Sequence, residues 1–351
     1  MNDGVLPRWT VRPEGSNWGD FGPDDQLGRL NLVTPERRRI AAQEVLEGIA
    51  FCLSLPLDCP RNISLHPRRQ PPELGWFLRG TDPTLNYPME RVQAGQDDVV
   101  CDDKAVISLQ YSTQWDALCH IGMLYDAHGT GEREATYYNG FHAGEHVCGP
   151  IDYSHGGTSK DGPYGAHALG IETIAETGLQ TRGVMVDLHA HVGLERVAVG
   201  YDQLMRILDA DRAEVGPGDV LALRTGFDRA LLARYDNPAA PFDQQRCSGL
   251  DGGDPLLQRW IDESGLVAIV SDNEAVEVLP TSHVAPGAHG PHIPLHNLCL
   301  FRLGIPLGEM FLLSDLADWL RAHQRSRFLF TAPPLRLPRA VGSPVTGVGT
   351  V

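Results

Sequence analysis

From residue 169 onward, short apolar runs alternate with stretches of helical spacing. Gly183 to Leu188, Val220 to Arg224, Leu266 to Ser271 and Phe328 to Ala332 are apolar, short and bounded by turn residues, which predicts strands. Gly170 to Thr177, Tyr201 to Asp211 and Pro255 to Ser264 carry the 3.6-residue period of helices, and Leu295 to Arg302 and Leu313 to His323 complete the set. Gly216-Pro217-Gly218-Asp219 predicts a turn before the 220 strand. Earlier in the chain, Thr34 offers an N-cap with Pro35 at the first helical position, so a helix is expected over Glu36 to Glu47, ending at Gly48. Ala50 to Leu57 and Val106 to Tyr111 predict two further strands. Strands alternating with helices specify an α/β body.

The segments between these elements lack periodicity. Residues 1–33, rich in Gly, Pro, Trp and Asp, predict an irregular N-terminal wrap. Residues 60–100 are rich in proline and polar residues and predict an excursion, either a lid or an oligomer contact. Residues 125–168, rich in Gly, His and Tyr, predict functional loop. Residues 333–351 predict an extended tail. Nothing marks a domain boundary, so one domain is expected over 1–351.

Composition narrows the class. The formal net charge of -16 repels phosphate backbones, which argues against nucleic-acid binding. No apolar run is long enough to cross a bilayer, and the first ten residues do not form a secretory signal. The seven cysteines are scattered, with no C-x-x-C, so neither a disulfide scaffold nor a zinc ribbon is expected. A reducing cytoplasm is the expected setting. There is no G-x-S-x-G elbow, no Walker A loop, no G-x-G-x-x-G after a strand and no H-E-x-x-H. Asp126 to Glu132 has a calcium-loop glycine at Gly131, but His128, Thr130 and Tyr137 stand where oxygen ligands are needed.

The chemistry concentrates in Gln110-Tyr111-Ser112-Thr113-Gln114-Trp115-Asp116-Ala117-Leu118-Cys119-His120. Asp116 and His120 are four apart and would share a face on a helical turn. A carboxylate that close orients an imidazole and raises its basicity, which suits acid–base work. A structural Asp–His hydrogen bond satisfies the same spacing. His289, His292 and His296 have a metal-like spacing, but Pro291 and Pro294 exclude one regular helix. His142 and His146 either line a site mouth or belong to a solvated loop. His189 and His191 read as packing or rim residues, Cys119 as small core, and Trp115 as either pocket wall or plain core.

The same segment resembles the signature H-x-G-T-H-x-D-x-P-x-H of the cyclase/kynurenine-formamidase-like superfamily. Gln110 and Gln114 stand at its first two histidines, Thr113 at the Thr, Asp116 at the Asp and His120 at the last His. Ser112 replaces its Gly and Leu118 its Pro. Further matches are Asn17-Trp18-Gly19 with Asp25, Gly28 and Leu30-Asn31-Leu32, then Tyr138-Asn139-Gly140, and Arg182-Gly183-Val184 with Asp187. Pro217-Gly218-Asp219-Val220 with Arg224-Thr225-Gly226, and His296 with Gly308-Glu309, complete them. The resemblance implies a swivelling β/β/α-type α/β domain with a mixed sheet and flanking helices. It implies Asp116, His296 and Glu309 as metal ligands and His120 as catalytic acid/base with Asp116. Gln110, Gln114, Trp115, Tyr138 and His142 are the expected substrate contacts. Replacing two imidazoles by carboxamides weakens zinc binding. Either one divalent ion (Mn, Zn or Mg) remains, or the site works metal-free. The implied function is hydrolysis of a small carbonyl compound such as a cyclic amide, lactone or formamide. The alternatives are a cyclase or dehydratase on a polyketide-like molecule and a non-catalytic binder that lost its metal. The implied assembly is a homodimer or higher homo-oligomer around a small-molecule substrate.

Overall fold

A computed structural model describes residues 7–61, 63, 65–153, 157–279 and 289–351. Its frame is a nine-stranded mixed sheet. In chain order the strands are β1 (Ala50–Cys52), β2 (Gln114–Asp116), β3 (Gln180–Asp187), β4 (Val220–Arg224) and β5 (Ala268–Ser271). They continue with β6 (Leu307–Glu309), β7 (Arg327–Thr331), β8 (Gly342–Pro344) and β9 (Val348–Thr350). The spatial order is β1-β9-β7-β3-β4-β5-β6-β2-β8. β3, β4, β5 and β6 are parallel, and the flanking pairs are antiparallel. Helices α1 (Pro35–Ala42), α2 (Ile171–Glu176), α3 (Tyr201–Asp211), α4 (Phe227–Asp236), α5 (Pro255–Ser264) and α6 (Ser314–Ala322) accompany the sheet.

Every residue of β4 and β5 is buried, the expected pattern where helices cover both faces of a parallel sheet. Trp115, Phe311, Phe328 and Phe330 fill the core. Among the described residues no helix is long and apolar enough to cross a membrane.

Several predicted bounds shift for identifiable reasons. Thr34 caps α1 through the Arg37 N–H, but the helix ends at Ala42. The last predicted turn is diverted, because the Glu47 and Gly48 N–H groups donate to the Val351 carbonyl. The strand expected over Val106 to Tyr111 lies instead at Asp103–Val106, paired with Glu73–Trp76. The helix expected over Leu295 to Arg302 is a turn at Pro294–His296 continued by a π-helix, Asn297–Leu303. α4 was absent from the sequence prediction. Its N-cap is Gly226 in the left-handed region, with no capping side chain, while Asp228 of its first turn faces inward to accept from the Leu313 and Ser314 N–H groups. The tail from 333 supplies β8 and β9 to the main sheet.

Candidate functional site

The site is built on the pairing of β2 with β6. Gln114 opposes Glu309, Trp115 opposes Gly308 and Asp116 opposes Leu307. Side chains alternate across a strand, so Gln114, Asp116 and Glu309 share one face while Trp115 points to the other. Trp115 is fully buried there; its indole N–H donates to the Ala332 carbonyl and its ring meets Phe311 and Phe330 edge-on. Gly308 leaves room for it, since a Cβ at that position would lie 2.7 Å from the Phe311 ring and 3.2 Å from Trp115.

On the site face, Gln114 Nε2 donates to Glu309 Oε2 at 2.8 Å. His296 is buried between two carboxylates. Its Nδ1 lies 2.7 Å from Glu277 Oε1 and its Nε2 3.2 Å from Glu309 Oε1. Glu277 also accepts from the Leu295 and His296 N–H groups, which fixes the ring. One ligand atom each from Asp116, His296 and Glu309 lies within 4.8 Å of the others, and all three residues are buried.

His120 approaches from the side. The chain leaves β2 at Asp116 and turns, with the His120 N–H donating to the Ala117 carbonyl. The four-residue spacing is therefore met by a strand end and a turn, where a helical turn was expected. His120 Nε2 lies 3.8 Å from Asp116 Oδ1, beyond hydrogen-bond reach, and the His120 side chain is 21% exposed. It opens, with Asp116, His296, Glu309 and Gln110, into a cavity of about 780 Å³.

The electrostatics follow from burial and close charges. Burial pushes the Asp116 carboxyl up to about 6; the His120 charge pulls it back and the Glu309 carboxylate adds to the rise. Burial works against a charged His296, but the hydrogen bonds that its ring donates to Glu277 and Glu309 outweigh it and hold the imidazole at about 10. Glu274, at the cavity wall, is raised by burial although Gln244 donates to it at 2.8 Å.

The donor set fits a divalent cation. Asp116 Oδ1 and Gln114 Oε1 are buried acceptors with no hydrogen-bond partner. Unsatisfied buried oxygens beside a carboxylate–imidazole–carboxylate cluster are what a cation satisfies. With oxygens from Asp116 and Glu309 and, once its proton is released, one nitrogen from His296, the set is harder than a three-histidine site.

The structure brings Asp116, His120, His296, Glu309 and Gln110 to the cavity; Gln114 does not line it but is hydrogen-bonded to Glu309. It does not bring Trp115, Tyr138 or His142 there. Tyr138 is fully buried, and its hydroxyl lies 3.3 Å from Asp25 Oδ2. Beside it, Asn139 Nδ2 donates to the Gly22, Pro23 and Asp25 carbonyls, so the Tyr-Asn-Gly segment clamps the N-terminal wrap. His142 stacks near His128 and contacts the Arg8 carbonyl. Of the three spaced histidines, His292 lines the cavity but only His296 joins the cluster. Asp126 accepts from the Thr130 and Gly131 N–H groups in an exposed turn. Burial pushes the Cys119 thiol up to about 12, consistent with an inert core residue.

Sequence reasoning missed Glu277, Glu274, Gln244 and the Arg68-Arg69 pair. The available signal was position: Glu274 and Glu277 follow the carboxyl end of β5, where parallel sheets place ligands.

Comparisons with known proteins bear on the family and the fold. The Cyclase family model, described as "Putative cyclase", matches residues 52–278. A solved structure described as a novel cyclase is similar over 96% of this chain and 99% of its own, at 30% identity and a TM-score of 0.70. Isatin hydrolase A from Labrenzia aggregata, bound to benzyl benzoate, is similar over 88% of this chain and 95% of its own, with 12% identity and a TM-score of 0.54. Isatin hydrolase A from Ralstonia solanacearum covers 86% of this chain and 91% of its own, with 15% identity and a TM-score of 0.52. At such identities the two hydrolases share the fold alone. No curated protein matches.

Proposed function

The chain belongs to the cyclase family, and from that premise we propose that it hydrolyses a small carbonyl compound of the cyclic amide, lactone or formamide type. One observation carries the reading. A buried carboxylate–imidazole–carboxylate cluster and the part-exposed His120, 3.8 Å from Asp116, converge on one cavity. Two solved structures that share the fold are named isatin hydrolases, which makes cyclic amides the first compounds to test.

Asp116, His296, Glu309 and the Gln114 oxygen would hold a divalent ion, which supplies Lewis acidity to a carbonyl oxygen and acidifies water. The remaining work falls to side chains. Glu277 fixes the His296 ring through Nδ1. His120 accepts a proton from the attacking water at Nε2, the nitrogen turned toward Asp116, and returns it to the leaving nitrogen or oxygen. Asp116 steadies the imidazolium formed in between. Gln110 Nε2 is a buried donor without a partner and is the candidate hydrogen-bond donor to the developing oxyanion.

The test is a screen of cyclic amides, lactones and formamides in oxygen-18 water, with products read by mass. Hydrolysis adds one labelled oxygen; ring closure or elimination adds none. His120→Ala is expected to lower kcat by about 10²- to 10⁴-fold with an unchanged circular dichroism spectrum. Full activity in that variant, or unlabelled products, overturns the reading. Elemental analysis is expected to find close to one magnesium or manganese per chain.

A further inference from the structure

The cavity that holds the acidic cluster is also lined by two arginines, Arg68 and Arg69. Arg69 is half-buried and makes one hydrogen bond, from Nη1 to the Gln110 carbonyl at 2.8 Å. Among the described residues it forms no ion pair. Arg68 is exposed, and among the described residues its one hydrogen-bond contact is with His66 Nε2, at 3.3 Å. Acidic residues number 45 in this chain against 29 basic ones, so an arginine left without a carboxylate is not explained by shortage.

The nearby acids are occupied. Glu309 is held by Gln114 and His296, and Glu274 by Gln244. Arg69 acts electrostatically on both Asp116 and Glu274 yet forms an ion pair with neither, so its guanidinium stands apart from both carboxylates. The bond to the Gln110 carbonyl aims the side chain and leaves the other N–H donors of its planar fork open to a ligand.

We propose that Arg69, supported at the rim by Arg68, anchors a carboxylate that the substrate carries away from its reacting carbonyl. The proposal rests on the hydrolase reading and narrows it to acyl compounds bearing a second, non-reacting carboxylate. A planar carboxylate matches the guanidinium fork. A dianionic phosphate is disfavoured, because Asp116, Glu274 and Glu309 share the cavity.

Binding tests this without turnover. Calorimetric titrations of the full chain use a panel of N-acylamino acids and aryl carboxylates, each paired with its primary carboxamide as the uncharged isostere. At least one acid is expected to outbind its amide by about 10- to 100-fold. Arg69→Met is expected to collapse that advantage to within about twofold of parity, and raised salt to shrink it. Arg69→Gln keeps a donor for the Gln110 carbonyl while removing only the charge, and is expected to do the same if Arg69→Met fails to fold. An acid preference that survives both variants places the carboxylate elsewhere and overturns the proposal, as does a panel in which no acid outbinds its amide. Acid binding through Arg69 with no oxygen-18 in any product keeps the anchor and removes the hydrolase reading. Labelled products with no acid preference do the reverse.

Discussion

Asp116 sits 1% exposed with one carboxylate oxygen unpartnered, and that has a consequence for stability. Burial raises its carboxyl to about 6, above the value near 4 of a free aspartate. A carboxyl raised by folding contributes stability that is whole below about pH 4 and is lost as the pH climbs toward 6. In chelator-treated protein, stability is therefore expected to fall between about pH 4.5 and pH 6.5 more steeply than in Asp116→Asn, by on the order of 1–3 kcal/mol. Added magnesium or manganese at pH 7 is expected to restore the wild type and to act weakly on the variant. Parallel slopes in urea titrations of the two proteins would show that Asp116 is not the strained group. At this scale the sequence was informative where the family pattern names a residue: Asp116, His120, His296 and Glu309 meet at one cavity. It was uninformative where the two-residue strand period decides. Trp115, between Gln114 and Asp116, was bound to face the opposite side once the segment was a strand. Arg69 was not legible because it lies in no motif and reaches the site through a loop of unpredictable path, whereas Glu277 carried only the weak signal of following β5.

The elements carry their own legible and illegible parts. α3, α5 and β4 match their sequence bounds residue for residue, since each combines a clean hydrophobic period with a turn or cap at its start. Asp254 caps α5 through the Leu256 and Leu257 N–H groups. β6, β8 and β9, by contrast, are three residues each and too short for any period to show. The turn into β4 is held from outside the strand: Arg182 Nε and Nη2 donate to Asp219 Oδ1 and Oδ2 at 2.9 and 2.7 Å, and the Gly216 N–H donates to Oδ2 at 2.8 Å. Asp219 is 2% exposed. Asp219→Ala strips a two-pronged partner from a guanidinium that is itself mostly buried, and is expected to cost about 2–4 kcal/mol in urea unfolding. Asp219→Asn keeps the shape and one acceptor and is expected to cost less. A loss under about 0.5 kcal/mol for Asp219→Ala would mean that water replaces the pair.

At the scale of the whole molecule, the segment expected as an excursion over 60–100 resolves into separate ribbons. Glu73–Trp76 pairs with Asp103–Val106, Leu78–Arg79 with Asp82–Pro83, and Tyr87–Pro88 with Val99–Val100. Two-stranded ribbons are marginal by themselves in water. Here Leu74, Trp76, Phe77, Leu78, Val99 and Val106 are each more than half exposed, apolar surface of the kind that a partner covers. At the root of the ribbons, next to Ile107, an apolar groove of about 770 Å³ is lined by Leu55, Pro56, Leu57, Leu335 and Val345. Ribbon and groove belong to one chain, so a two-fold pairing of two copies lets each ribbon cover its partner's groove at the same time. The family resemblance implies a homodimer or higher homo-oligomer, and this surface is where we propose that the copies meet. Sedimentation is expected to give a dimer or larger, and Trp76→Glu with Leu78→Glu is expected to shift it to monomer with an unchanged far-ultraviolet spectrum. Arg68 and Arg69 lie just before the first ribbon and line the cavity, so the same variant is expected to weaken ligand binding if the ribbons are seated by a partner. A wild type that sediments as a monomer removes the second copy as the occupant and leaves the ribbons as a lid over their own chain's cavity.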